Sequence, residues 1–345
     1  MDRRELLRAF AAAAGTAAVA PRTLDWMADA GGMVGGMRVD RVLLDRLESV
    51  TSALAGHFHS ARPDELIAPA RGLTEHLTRL LGDGSMLPGM RSRLAGLAAD
   101  SAMFSGWLAL DADHRADASA FYALALGLAP EAHDDTLYAL ALGAQGLLRG
   151  LAGAAGRPGD PRQAVWQIKQ AYAGLSDAAP AYARAYLAAT LAKHAAVVGE
   201  EYGFCAGIEN ANAALSEGRA GQQRTGFLSG AGWFSTVVGQ DNFVLDYEGR
   251  GLALLGSVEA EPVVRAALAS DAHPLPKRHT GMLVSLGRAY VALGEHEAAA
   301  AVTREALDVA AGSGYSVAFA GVRSVRAALP DGPLTAQLDE ALALR

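Results

Sequence analysis

Two stretches of the sequence repeat each other 38 residues apart, and this repetition constrains the fold more than any other feature. GRGLALLGSVEAEPVVRAAL runs from Gly249 to Leu268, and GRAYVALGEHEAAAAVTREAL runs from Gly287 to Leu307. Each begins with Gly-Arg, continues through an apolar turn to Leu-Gly and a short acidic break, and ends in a second amphipathic segment. A period in this range is typical of stacked helix–turn–helix units.

These units resemble the tetratricopeptide repeat, in which small residues let two helices approach closely and a bulky residue fills the gap to the next pair. In the last unit the matching residues are Leu286, Gly287, Tyr290, Ala299 and Ala306. Thr303 departs from the pattern because a bulky apolar residue is expected there, and the terminal proline of the pattern is absent.

Earlier units match the same pattern at a similar spacing. The first supplies Gly106, Ala118, Tyr122, Ala125 and Pro130, the next supplies Gly143, Ala164, Ile168 and Ala171, and a weaker one rests on Ala206 and Ala213. The resemblance implies an all-α fold, a right-handed α-solenoid of about five helix pairs over residues 39–345.

The order of four segments is similar to the C-terminal region of certain actinobacterial transcriptional regulators. The segments are DRVLLDRLESVTSAL, LIAPARGLTEHLTRLL, RSRLAGLAADSAMFSGWLALD and GEHEAAAAVTREALDVA, and together they span about residues 40–345. In those regulators a lambda-repressor-type helix-turn-helix precedes helical repeats that form a sensor or partner-binding region, and MDRRELL resembles the junction. No DNA-binding domain precedes Met1 here, so DNA recognition is not carried over to this chain.

Composition agrees with an all-α protein that does not bind nucleic acid directly. Hydrophobic residues make up 51% of the chain and aromatic residues only 6%, so the apolar content is mostly the helix-favouring Ala and Leu. The net charge is −7 and no dense basic run is present, which disfavours contact with a string of phosphates. No apolar run reaches the ~18 residues that a membrane span needs.

Residues 1–38 form a distinct N-terminal segment. Arg3-Arg4, Leu6-Leu7 and the run that ends Ala18-Val19-Ala20 resemble a twin-arginine export signal, with cleavage after Ala20. Only two residues precede the arginine pair and the apolar run is nearly all Ala, so we expect a cytoplasmic protein and keep export as the alternative. The glycine-rich stretch Gly31 to Met37 predicts a flexible linker.

No set of residues predicts catalysis, a metal ion or a cofactor. His57 and His59 lie two residues apart in an apparently helical stretch, where their side chains would diverge. The turn DADHRAD, which begins at Asp111, lacks the glycine and glutamate of a calcium loop and is interpreted as a polar turn between helices. Ser229 lacks the spacing of a nucleophile elbow, and Cys205 is interpreted as a small buried residue.

The concave face of the solenoid is the expected functional surface. Matching this chain to the repeat pattern places Trp107, Asp246, Arg250 and Arg288 there. Repeated arginine at one repeat position could bind a carboxylate such as a peptide terminus, and solvated surface arginine is the alternative. The aromatic residues between 218 and 247, among them Trp233, suggest either a pocket or a connection that packs into the core.

The sequence therefore favours a non-enzymatic regulatory protein that binds a peptide, a protein partner or a small ligand in its groove. On this hypothesis, replacing Arg250 and Arg288 by Ala abolishes binding and leaves the fold intact. A structural scaffold without a small ligand, perhaps a homo-oligomer, and an exported helical protein are the alternatives. The identity of the ligand does not follow from the sequence.

Overall fold

The computed structural model of the chain describes residues 39–58, 61–83, 85–151, 159–220, 242–270 and 275–344. Within these ranges the chain forms fourteen α-helices and no β-strand. The prediction of an all-α protein is therefore confirmed. The predictions for residues 1–38, for His59 and Ser229, and for Trp233 fall outside the described residues.

The helices follow one another with short connections through most of the chain. The first seven are α1 (Arg41–Gly56), α2 (Pro63–Asp83), α3 (Pro88–Asp111), α4 (Arg115–Ala132), α5 (Asp135–Gly150), α6 (Pro161–Ala173) and α7 (Ala181–Val197). The remaining seven are α8 (Glu201–Ala220), α9 (Phe243–Leu254), α10 (Ala260–Ala269), α11 (Pro276–Leu293), α12 (His296–Ser313), α13 (Ala318–Ala327) and α14 (Pro333–Ala343).

Local sequence signals set several of these helix ends. The Asp40 carboxylate accepts a hydrogen bond from the Leu43 amide at 2.9 Å at the start of α1, and Asp134 caps α5 in the same way. Such caps satisfy amide groups that have no partner within the helix. Gly294 ends α11 with φ at 76°, a left-handed conformation that glycine adopts without steric cost.

From α3 onward the helices pack as consecutive pairs. Each odd-numbered helix packs against the even-numbered helix that follows it, and α3, α5, α7, α9, α11 and α13 contact one another in that order. The DADHRAD turn joins α3 to α4, as predicted. A series of helix pairs in which neighbours stack is the arrangement that the repeated sequence indicates.

Glycines at the repeat positions allow the two helices of a pair to approach closely. A Cβ atom placed on Gly106 would lie 2.4 Å from the buried ring of Tyr122, and one on Gly287 would lie 2.7 Å from the Thr303 hydroxyl. Thr303, which departs from the repeat pattern, is fully buried and donates its hydroxyl to the Ala299 carbonyl. A polar residue is therefore accommodated here because its own helix satisfies its hydroxyl.

Three local interpretations of the sequence are wrong. In the weakest repeat Ala213 is exposed, and the buried small residues of α8 are Gly207, Ala211 and Ala214, so the assigned register is shifted by one residue. Cys205 is exposed on the opposite face of the same helix. His57 is not helical, because α1 ends at Gly56 and the chain turns there to bury Phe58 against Phe104.

Residues that are distant in the sequence also meet, at a contact that we call the seam. The Lys277 ammonium lies 2.6 Å from the Asp111 carboxylate, with both side chains largely buried, and it donates to the Phe58 carbonyl at 3.0 Å. Arg62 donates to the Gly312 carbonyl at 3.3 Å. The seam joins the start of α2 and the end of α3 to α11 and α12, and a cavity of about 300 Å³ lies beside it.

Candidate functional site

Four odd-numbered helices, α3, α7, α9 and α11, contribute polar or aromatic side chains to one cluster. Residues four and seven apart lie on the same face of an α-helix. On α7 this spacing aligns Tyr186, Thr190 and Lys193, and on α9 it aligns Asp246 with Arg250. These residues and their polar neighbours form what we call the inner cluster. Its members are Trp107, Tyr186, Thr190, Lys193, Asp246, Tyr247, Arg250, Arg278, Arg288 and Tyr315.

Asp246 is the anionic centre of the inner cluster. Its side chain is 3% exposed and accepts two hydrogen bonds from Arg250, at 2.6 Å from Nε and 2.8 Å from Nη2. The Nε atom of Arg278 lies 3.3 Å from the same carboxylate. A buried carboxylate requires such partners, so Arg250 and Arg278 are the counter-charges of Asp246.

Arg250 also lies over the next odd-numbered helix. A Cβ on Gly281 would lie 2.6 Å from the Arg250 guanidinium carbon, so a glycine is needed there for the arginine to pass. Arg288 lies on the same face of α11 as Gly281, two turns further along, and its Nη2 atom lies 3.9 Å from the position that a Cβ on Gly321 would take. The two arginines therefore occupy equivalent positions in successive repeats.

The surroundings of these two arginines differ. Asp246 precedes Arg250 by four residues and pairs with it, whereas Val284 stands four residues before Arg288. Among the described residues Arg288 has no carboxylate within 4 Å. Burial lowers the pKa of Arg288, and the positive charge of Arg250 lowers it further. Arg288 is thus a half-buried cation with no anionic partner in the described part of the chain.

Lys193, on α7, is a second half-buried cation of the inner cluster. Burial lowers its pKa to about 8, and the charge of Arg250 contributes to this decrease. Asp246 opposes the decrease, and Arg288 adds a smaller lowering effect. No described carboxylate forms an ion pair with Lys193. The charged side chains of the inner cluster are therefore four cations and one carboxylate.

Aromatic rings and hydroxyl groups pack beside these charges, and Tyr186 and Thr190 are buried. The ring of Trp107 packs edge-on against Tyr186 at 6.2 Å and against Tyr122 at 6.5 Å. The hydroxyls of Tyr186 and Tyr247 lie beside that of Thr190. Burial raises the pKa of Tyr247, which keeps its phenol protonated and able to donate a hydrogen bond at neutral pH.

The four residues that the sequence placed on the concave face all belong to the inner cluster, in different roles. Asp246 and Arg250 form a buried pair, Arg288 has no carboxylate partner among the described residues, and Trp107 packs against Tyr186. Of the aromatic residues considered for a pocket, Phe243 is buried and packs at 4.9 Å from Tyr247.

Sequence reasoning missed Lys193, Arg278 and Lys277. The spacing of Lys193 from Tyr186 and Thr190 could have indicated its position, since all three share one helical face. Arg278 and Lys277 occupy the first turn of α11, and nothing in the local sequence indicates that one reaches Asp246 and the other Asp111. Asp111 itself lies at the predicted turn but is 4% exposed and paired across the seam.

The described part of the chain contains no group of three or more His, Cys, Asp or Glu side chains placed to hold a metal ion. None of its helices combines the length and the apolar character needed to cross a membrane.

Comparison with known proteins does not assign the chain to a family. No protein-family model matches the sequence, and no curated protein is significantly similar to it. The inner cluster is thus characterised by its own geometry.

Proposed function

We propose that this chain is a non-enzymatic regulatory protein whose tetratricopeptide-like repeats form a right-handed solenoid and bind a ligand or partner at the inner cluster. The order of helix pairs supports the repeat architecture. The resemblance of the sequence to the repeat region of actinobacterial regulators supports a sensor role.

One observation carries the proposal: the inner cluster holds more positive charge than its own carboxylate neutralises. Arg250 and Arg278 contact Asp246. Lys193 and Arg288 add two positive charges near Arg250, and neither forms an ion pair with a described carboxylate. Partly buried charge of one sign is costly unless an opposite charge compensates it. A bound ligand that supplies negative charge would provide this compensation.

The architecture also offers a way to transmit binding. Arg278, which contacts Asp246, directly follows Lys277, which contacts Asp111 across the seam. A ligand that shifts the first turn of α11 would therefore act on both contacts. Because α11 packs against α9 and α13 in the stack, a small rotation at α11 would change the curvature of the solenoid.

Native mass spectrometry of the protein isolated from its own host tests the proposal. We expect a bound species on the wild-type protein and on an outer-surface variant, Lys169→Met, because Lys169 is exposed. The species should be lost from an inner-cluster variant, Arg288→Gln. A bound species retained equally by all three proteins, or found on none of them, would contradict the proposal.

The proposal places the protein in the cytoplasm, on the basis of the short and weakly apolar N-terminal segment. Intact mass measured separately in the cytosol and the culture medium distinguishes this from export. The full-length chain is expected in the cytosol, and a product that begins at Pro21 in the medium would support the twin-arginine alternative.

A further inference from the structure

We propose that the inner cluster binds a small molecule through a dianionic phosphate group, with Lys193 and Arg288 as its direct contacts. This inference rests on the proposed function for the location of the site, and it adds the chemical class of the ligand. The sequence favoured Arg250 and Arg288 as the binding residues. The inference keeps Arg288 and replaces Arg250 by Lys193, because Lys193 and Arg288 lack a carboxylate partner among the described residues.

The charge count favours a dianion. The described charged groups that act on Lys193 and Arg288 are Arg250 and Asp246, and Arg278 also contacts Asp246. Lys193, Arg250 and Arg288 together exceed the single negative charge of Asp246 by two positive charges. A carboxylate offsets one of these charges, whereas a phosphate monoester carries −1.5 to −2 near neutral pH and offsets more of the surplus.

The division of roles among the arginines follows from their geometry. Arg250 uses both Nε and Nη2 on Asp246, and Arg278 also contacts this carboxylate. The guanidinium of Arg288 contacts no described carboxylate and can present two parallel N–H donors to an anion. Lys193 adds an ammonium group with three donors.

The neutral groups of the cluster suit the rest of such a ligand. A phosphate group has three terminal oxygens that accept hydrogen bonds, and the tyrosine and threonine hydroxyls of the cluster can donate to them. Trp107 is half-buried and packs edge-on against Tyr186. This ring provides a partly exposed apolar surface beside Tyr186, which belongs to the inner cluster, so we expect the phosphate to be carried on an apolar or aromatic group.

Calorimetric titration with two matched probes tests the inference. Phenyl phosphate and benzoate share an aromatic ring and differ in the charge and oxygen count of the anion. In HEPES at pH 7.5, phenyl phosphate should bind at least about tenfold more tightly than benzoate. Equal affinity for the two probes would contradict the preference for phosphate and would indicate a site for any anionic group. The absence of binding by both probes would overturn the inference.

Variants assign the contacts. Lys193→Met and Arg288→Gln should each weaken phenyl phosphate binding by about tenfold or more, since a hydrogen bond to a charged group contributes about 1.5–3 kcal/mol. The controls are Lys169→Met and Arg323→Gln, which change exposed residues of the same types and should leave binding unchanged. Equal losses in the variants and their controls would overturn the assignment.

A measurement on the wild-type protein removes any dependence on how the variants fold. The chain contains three lysines, Lys169, Lys193 and Lys277, so ¹³C-lysine labelling gives a simple NMR spectrum. Phenyl phosphate should shift the Cε resonance of Lys193 and leave that of Lys169 in place. If phenyl phosphate shifts neither resonance while a host-derived species still binds at the inner cluster, the phosphate inference fails and the proposed function stands.

Discussion

Arg250 and Arg288 occupy equivalent repeat positions, yet we expect replacement by Ala to destabilise the protein at Arg250 and to leave its stability nearly unchanged at Arg288. Arg250→Ala removes two hydrogen bonds from a carboxylate that is 3% exposed. Breaking a buried ion pair by removing one partner costs about 3–5 kcal/mol. Because Arg278 still contacts Asp246 at 3.3 Å, we expect the lower end, a loss of about 3 kcal/mol in the free energy of unfolding.

Arg288→Ala removes a side chain that has no carboxylate partner among the described residues. The expected change is within about 0.5 kcal/mol, because lost packing of the side chain is offset by relief of its repulsion with Arg250. The sequence-based expectation that both replacements leave the fold intact is therefore revised for Arg250.

Urea unfolding at pH 7.5 in a buffer without phosphate measures both changes. A double-mutant cycle with Asp246→Asn isolates the pair, and we expect a coupling of about 2 kcal/mol between Asp246 and Arg250. Equal losses of stability from the two arginine variants, or a coupling near zero, would refute the assignment of Arg250 as the counter-charge of Asp246.

Three other predictions concern stability. His194 is buried and its pKa is lowered to about 3, so below pH 6.5 the unfolded state binds a proton that the folded state does not. Between pH 7.5 and pH 5 the free energy of unfolding should therefore fall by about 2 kcal/mol. Thermal melts should show that His194→Gln removes this part of the acid sensitivity. Gly106→Ala should destabilise by about 1–2 kcal/mol in urea because of the Tyr122 ring, whereas Gly127→Ala, with open space around it, should be neutral or stabilising. Lys277→Met removes the ion-pair partner of the buried Asp111 and should lower the free energy of unfolding by about 3 kcal/mol. Adding Asp111→Asn should restore part of this stability. No recovery in the double variant would contradict the pairing of Lys277 with Asp111.

The helix pairs could be predicted because their main contacts are close in sequence. Gly106 and Tyr122 lie on consecutive helices sixteen residues apart, as do Gly287 and Thr303. A small residue opposite a larger one therefore leaves a repeated pattern in the sequence. The weakest repeat was assigned in the wrong register because Ala is common on both faces of α8, so composition alone does not identify its buried face.

The site could be predicted only in part. The resemblance to the tetratricopeptide pattern placed Asp246, Arg250 and Arg288 on one surface. The residue four positions before each arginine already distinguishes the two arginines, because it is Asp246 in one case and Val284 in the other. The contact of Lys277 with Asp111 could not be predicted, because it depends on the rotation accumulated over several helix pairs. No short stretch of the sequence indicates the total rotation over these helix pairs.

The central claim is that the inner cluster holds surplus positive charge and binds an anion. The most direct test of this claim is a measurement of the pKa of Lys193. This pKa can be measured from the pH dependence of the Cε resonance in the ¹³C-lysine-labelled protein, with exposed Lys169 as the internal reference. We predict a pKa of about 8 for Lys193 in an anion-poor buffer and a higher pKa at saturating phenyl phosphate, because a bound dianion favours the protonated amine. A pKa near the usual ~10.4 for a lysine that phenyl phosphate does not change would contradict the account.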